Sequence, residues 1–420
     1  MPALLPTRFH PRGEAVTDGP HPTRVFGGIP GEPADVTILG VGGHVDYGEW
    51  AGSATPSPDR VAPACSHWRP CGGCPWMHLA PDAQRRWRRT LVVDALAEAL
   101  AEAGVAAIVD DVVPCPDGDT GYRHLAKLVA TDRREGTRLG AHGRNSHDVV
   151  NVEGCGVLAP ALRAWTALRL DLPPGLLRHV VVRRSRSHGT VLATLVARAD
   201  APALRALAAT LPADGVHLHL NDRPGDGIFA PDGVTTRLLG VDAVEEHVNG
   251  VAFEVGPTDF FQTNPATAGR LWADLPRAAG RPLLDLYCGV GAVALQLGRD
   301  ASVVFGIEAS PAAVARARRN AEKNGIAATF TAEAVGASLP EACAGGLVVV
   351  NPPRSGLAPG VAERILALRP SELVYVSCDP RTLARDLVRL VGGGLRLRRV
   401  TPYDMFPQTV HVETVAVLAP

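Results

Sequence analysis

Three sets of residues in this 420-residue chain have the types and spacing to do chemistry. The first is a lone cysteine, Cys378, in ELVYVSCDPRTLARDL. Before it runs the apolar stretch 373–376, which reads as a buried strand; after it Asp379 can cap a helix, Pro380 suits the first turn, and Leu383, Leu387 and Leu390 recur at helical spacing. A cysteine at the carboxyl end of a strand lies where open α/β sheets bind ligands, and a helix N-terminus can lower a thiol pKa from about 8.5 toward neutrality. That arrangement suits a nucleophile, and by itself it equally suits a buried structural thiol.

The second set is ACSHWRPCGGCPWMH, in which Cys65, Cys71 and Cys74 have metal-ligand spacing and Gly72-Gly73 lets the backbone wrap tightly. A fourth ligand is needed, and Cys155 in NVEGCGVL fits, whereas Cys115 lies in an exposed-looking Pro-Cys-Pro-Asp-Gly turn. Four thiolates serve a structural zinc or an iron–sulfur cluster, and the spacing alone leans toward zinc. The third set is the glycine turn Cys288-Gly289-Val290-Gly291, then Glu308 at the end of the next strand, then Asn351-Pro352-Pro353. Glycines let a cofactor approach the backbone, and an acid at that strand end accepts from ribose hydroxyls. With only two glycines bracketing the turn, an adenosine site is favoured over a dinucleotide site, and the three features together point to S-adenosylmethionine.

The elements that must position these residues follow from periodicity. Residues 1–60 read as a small β module punctuated by glycines, with strands near 24–26 and 34–39, followed by the linker AGSATPSPDR. Residues 80–104 read as an amphipathic helix whose Arg85, Arg86, Arg88 and Arg89 surround Trp87, a run that more often marks a solvated face than an RNA patch. The region to 245 is mainly antiparallel β, with a hairpin around Ser187-His188-Gly189 and with His217 and His219 expected to face solvent. From about 246, strands alternate with helices, as in a doubly wound sheet. The expected fold class is therefore α/β: a C-terminal doubly wound, Rossmann-like domain (246–420), a central mainly antiparallel β domain (61–245) and an N-terminal β module (1–60).

Composition sets bounds on partners. The net charge of −1 excludes a globally basic nucleic-acid binder, so any RNA site must be a local patch. No apolar run reaches membrane-spanning length and the first residues lack a signal core, so a cytoplasmic protein with no membrane partner is expected. Nothing in the sequence points to an obligate protein partner.

Taken together, the motifs resemble those of the RNA 5-methyluridine methyltransferases, the iron–sulfur family that methylates uracil C5 in transfer or ribosomal RNA. The resemblance runs along essentially the whole chain: CGGC after a spaced cysteine, FFQTNP at 260–265, DLYCGVG at 285–291, NPPRSGL at 351–357, YVSCDPRTLARDL, and MFPQTVHVETVAVL at 405–418. FGGIPGEPADVTILG resembles the TRAM domain, an RNA-binding β-barrel. The resemblance implies that the nucleophile is Cys378 and the general base Glu413, and that Gln262, Tyr287, Gly289, Glu308 and Asn351 contact the cofactor. It further implies that Cys65, Cys71, Cys74 and Cys155 hold a [4Fe–4S] cluster. The family usually has Asp at Asn351, Asn at Asp379, Gln at Met77 and a polar residue at Ala292; Asn351 keeps the acceptor carbonyl and loses the charge. Two other readings stay open. One is a methyltransferase acting on an exocyclic amine through the Asn351-Pro-Pro loop. The other is a non-catalytic RNA-binding iron–sulfur protein.

Overall fold

The computed structural model describes residues 3–101, 104–225 and 227–420. Four sheets account for the strands: a five-stranded sheet within 6–52, an eight-stranded sheet within 125–240, the hairpin Val244–Val248/Val251–Val255, and a seven-stranded sheet within 282–419. No described helix is long and apolar enough to cross a membrane.

The seven-stranded sheet is the frame of the site. Its spatial order is Thr329–Ala332, Val303–Glu308, Pro282–Leu286, Leu347–Val350, Glu372–Ser377, Glu413–Ala419, Arg396–Tyr403. All neighbours run parallel except Glu413–Ala419, which is antiparallel to both strands beside it. The near-continuous apolar strands are what a sheet buried on both faces requires. Side chains alternate: Leu347 and Val349 enter one core with Phe253, Trp272 and Val293, while Val348 and Val350 enter another with Leu96, Ile365 and Leu387. The second core contains a long-range partner, because Val92, Leu96 and Leu100 of the helix Pro81–Leu100 pack there beside the helix Pro380–Gly392.

In the same helix Gln84 and Arg88 continue the buried stripe, so Arg88 is not the solvated residue expected from the arginine run. The other arginines are also engaged: Arg86 pairs with Asp59, Arg85 with Asp82, and Arg89 donates to the Val109 carbonyl.

The eight-stranded sheet is antiparallel apart from Val191–Ala197 beside Gly215–Leu220, and the hairpin around Ser187 forms as expected, with Gly189 at φ +78°. His217 and His219 do not face solvent; they are 4% and 2% exposed. The reason is that this sheet, too, is covered on its second face. His219 is held between Thr235 Oγ1 (2.8 Å) and the Ala230 amide (2.9 Å), while Arg183 and Thr194 of the same sheet donate to the carbonyls of Asp259 and Pro257. In the N-terminal sheet, Gly31 (φ +85°) makes the turn of Gly-Ile-Pro-Gly-Glu, and Glu32, 1% exposed, receives the Arg60 guanidinium.

Candidate active site

The parallel strands deliver their last residues to one edge. There lie Tyr287 after the first strand, Glu308 at the end of the second, Asn351 after Leu347–Val350 and Cys378 after Glu372–Ser377. The antiparallel strand completes the set, because its first residue rather than its last reaches this edge. Ser377 pairs with Thr414, so Cys378 and Glu413 are adjacent across the two strands. The strand carrying Glu413 is interior, flanked on both sides, and not the edge strand that its polar residue alone suggests.

Asp379 caps the following helix by accepting from the Arg381 amide (2.9 Å), which fixes the turn that presents Cys378. The thiol is half-buried, and burial followed by the Glu413 charge pushes its pKa up; the expected lowering at a helix N-terminus does not prevail. Arg354 opposes this, both by its charge and by hydrogen bonding to Cys378. Glu413 is 3% exposed, and burial pushes its carboxyl up to about 7, again against the Arg354 charge. The site therefore contains a thiol, a carboxyl poised near neutrality and a guanidinium that favours the ionised form of each. Sequence reasoning passed over Arg354, whose only signal was its place after Asn351-Pro352-Pro353.

A second buried carboxylate secures the loop bearing Arg354. Asp386 Oδ2 accepts from the Leu357 amide (2.8 Å) and from the Tyr375 hydroxyl (2.7 Å), tying loop, strand and helix together.

The glycine turn has the geometry of a close-approach site. Tyr287, Gly289 and Gly291 take φ of +64°, +54° and +82°, and a tyrosine in that region is a strained residue of the kind that collects at binding sites. A Cβ on Gly291 would meet the Phe330 ring at 3.2 Å. Glu308 Oε2 accepts from the Gly289 amide (3.2 Å) and Oε1 from the Ser310 amide (2.9 Å), aiming its carboxylate at the turn. The Asn351 backbone N–H donates to the Leu286 carbonyl (3.3 Å), and the Tyr287 hydroxyl accepts from the Ala358 amide (3.4 Å). Gln262 comes from outside the sheet, and its neighbour Phe261 packs in the core cluster that contains Cys288 and Val290. Asp285 was not anticipated. Burial pushes it up to about 7; Oδ2 accepts from the Ala294 amide (2.9 Å), whereas Oδ1 has no hydrogen-bond partner among the described residues.

The four cysteines converge from two segments. Burial raises the Cys74 thiol, and the charges of Cys155, Cys71 and Cys65 raise it further. Cys115 is not exposed as its turn suggested: it is 7% exposed, packs in a cluster with Tyr122 and Val157 that Cys74 and Cys155 flank, and accepts from Asn264 Nδ2 at 3.2 Å.

Comparison with known proteins identifies the family. Residues 336–419 match the model of the tRNA (uracil-5-)-methyltransferase family, and residues 265–374 match that of the methyltransferase small domain. The chain is 35% identical to an RNA methyltransferase of Gloeobacter violaceus over 94% of this chain and 90% of that one. It is 36% identical to one of Parasynechococcus marenigrum, over 86% and 83% of the respective lengths. Among solved structures it is similar to the tRNA (uracil-54, C5)-methyltransferase of Pyrococcus abyssi in complex with S-adenosyl-L-homocysteine. The TM-score there is 0.78 and the identity 25%, with 99% of this chain and 100% of that one covered. A thiol and a buried carboxyl at the edge of a cofactor-binding sheet thus stand in a chain related along nearly its whole length to RNA methyltransferases: it belongs to the S-adenosylmethionine-dependent RNA (uracil-5-)-methyltransferase family.

Proposed function

We propose that the enzyme methylates C5 of a uridine in structured ribosomal or transfer RNA through a covalent adduct between Cys378 and uracil C6. The observation that carries this reading is the pairing of strand ends that sets Cys378 beside Glu413. Uracil C5 is a poor nucleophile; addition of the Cys378 thiolate to C6 turns it into an enolate carbon able to attack. Bound S-adenosylmethionine supplies the electrophilic methyl group. After transfer, Glu413 takes the C5 proton, the electron pair of that C–H bond re-forms the C5–C6 double bond, and the Cys378 thiolate leaves. Arg354 favours the thiolate before addition and the carboxylate before proton removal. Gln262, Tyr287, Gly289, Glu308 and Asn351 are the proposed cofactor contacts, with Glu308 facing the ribose.

Adenosine-directed chemistry alone would also serve an exocyclic-amine methyltransferase, but such an enzyme needs no thiol facing a carboxylate. Incubating the protein with methyl donor and either ribosomal or transfer RNA, then digesting to nucleosides for mass spectrometry, is expected to yield 5-methyluridine. A product methylated on an exocyclic nitrogen would overturn the assignment.

Residues 1–60 we read as a TRAM-like RNA-binding barrel preceding the central and methyltransferase domains. Cys65, Cys71, Cys74 and Cys155 we read as the ligands of a [4Fe–4S] cluster, a reading supported by the convergence of Cys65, Cys71 and Cys155 on the buried thiol of Cys74. Its role is positional. The Trp76 amide, two residues beyond Cys74, donates to the Gln408 carbonyl (3.0 Å), and the Tyr122 hydroxyl donates to the Pro407 carbonyl (2.9 Å), so the thiol loops brace the segment leading to Glu413. Protein purified without oxygen is expected to be brown and to contain iron and sulfide in equal amounts. One equivalent of zinc without sulfide would exclude the cluster.

A further inference from the structure

Away from the active site, the tip of the hairpin around Ser187 meets the strand Val244–Val248. One ring nitrogen of His188, one of His247 and a Glu245 carboxylate oxygen all lie within 4.8 Å of one another. His247 Nε2 is 2.7 Å and His188 Nε2 4.0 Å from Glu245 Oε1, and the two imidazoles meet edge to face with centroids 4.6 Å apart. We propose that these three side chains form a binding site for a divalent transition-metal ion of the zinc class, clamping the central sheet to the methyltransferase unit.

Two imidazoles and a carboxylate are a borderline-soft donor set suited to zinc, and Zn–N and Zn–O bonds of about 2.0–2.2 Å imply ligand separations of about 3.3 Å, within the range seen here. The ligands are also oriented in advance. Ser187 Oγ bonds His188 Nδ1 at 2.8 Å, leaving Nε2 to face the other two, and accepts from the His247 amide at 2.8 Å. The tip itself is pinned: Glu246, 4% exposed, accepts from the amides of Arg186 (2.6 Å) and Ser187 (3.0 Å), and Ser185 Oγ donates to the Glu245 carbonyl (2.6 Å).

The nearest positive charge is Lys323, which pairs with Glu245 through Oε2, leaving Oε1 to the histidines. Glu254 shares that ammonium at 3.8 Å and thereby offsets its repulsion of a second cation. Lys323 ends the helix Pro311–Lys323, so an ion held by His188 would join the central sheet to that helix through Glu245. The exposed side of the cluster leaves the fourth coordination position to water.

Full-length protein, dialysed against a weak chelator, is to be titrated calorimetrically with zinc sulfate, and spectroscopically with cobalt(II) chloride. One equivalent is expected to bind. His188→Ala and His247→Ala should each weaken binding roughly 10- to 100-fold, and the double variant should not bind at this site. Zinc should raise the melting temperature of the wild type and leave that of the double variant unchanged. The bound cobalt should show d–d bands without thiolate charge transfer. No binding by the wild type, unchanged zinc affinity in the double variant, or a thiolate–cobalt band would overturn the proposal.

Discussion

Cys378→Ala is expected to leave no detectable methyl transfer and no covalent RNA complex, since it removes the proposed nucleophile that adds to C6. Glu413→Gln should fail differently. It keeps the nucleophile and the methyl acceptor but lacks the base, so addition and methylation proceed while elimination stalls. Turnover should fall roughly 10²- to 10⁴-fold, and methylated RNA should migrate with the protein through denaturing electrophoresis, attached at Cys378. The wild-type rate should rise with pH through about 7, because Glu413 must be ionised to take the proton and burial has raised it to that range. A single-turnover pH profile checks this, and in Glu413→Gln the Glu413 limb should vanish. An adduct mapping to Cys288, or near wild-type turnover by Cys378→Ala, would show the covalent mechanism to be wrong.

Arg88→Ala is expected to cost about 3–5 kcal/mol of stability, because it strands the buried carboxylate of Asp404. Arg88 is 0% and Asp404 1% exposed, and they pair at 3.1 Å. The arginine also donates to the carbonyls of Thr409 (2.7 Å) and Phe406 (3.3 Å), while Gln84 exchanges bonds with Gln408 at 2.8 and 3.0 Å. Replacing both charges, as in Arg88→Met with Asp404→Leu, should restore much of the stability because no unpaired charge remains buried. Methyl transfer should stay depressed, because the loop that leads to Glu413 would still lack its tie to the helix. Denaturant melts alongside turnover measure the two effects separately; recovery of both together would mean that Arg88 serves stability alone.

The doubly wound unit was legible because its strands are continuous apolar runs ended by turn residues; Pro282–Leu286 and Glu372–Ser377 lie where the pattern puts them. Catalytic candidates were legible where chemistry is rare: one thiol at one strand end. Residues whose state is set by distant segments were not. Arg88 looks like its exposed neighbours until a loop more than three hundred residues away covers it. His217 and His219 alternate as solvent-facing residues should, and only the segments closing over their sheet bury them. Arg354 has no local signature beyond its place after Asn351-Pro352-Pro353, since its importance comes from facing two groups on other strands. Cys115 sits in a turn sequence that reads as surface and becomes interior by lying against the cysteine loops.

The bond from Arg88 to Thr409 spans 321 residues, which has a consequence for the order of events on the ribosome. At about 5–20 residues per second, roughly a quarter of a minute to a minute separates emergence of the helix Pro81–Leu100 from synthesis of its partner loop. For much of that interval its apolar stripe, Val92, Leu96 and Leu100, waits for the strands Pro282–Leu286, Leu347–Val350 and Glu372–Ser377 and for the helix Pro380–Gly392 against which it packs. Within the seven-stranded sheet the strand Glu413–Ala419 is the last to be made, and it carries the proposed base to Cys378. A nascent chain can thus assemble its glycine turn early, yet it has no complete catalytic edge until the last strand of this sheet is threaded between two neighbours already made.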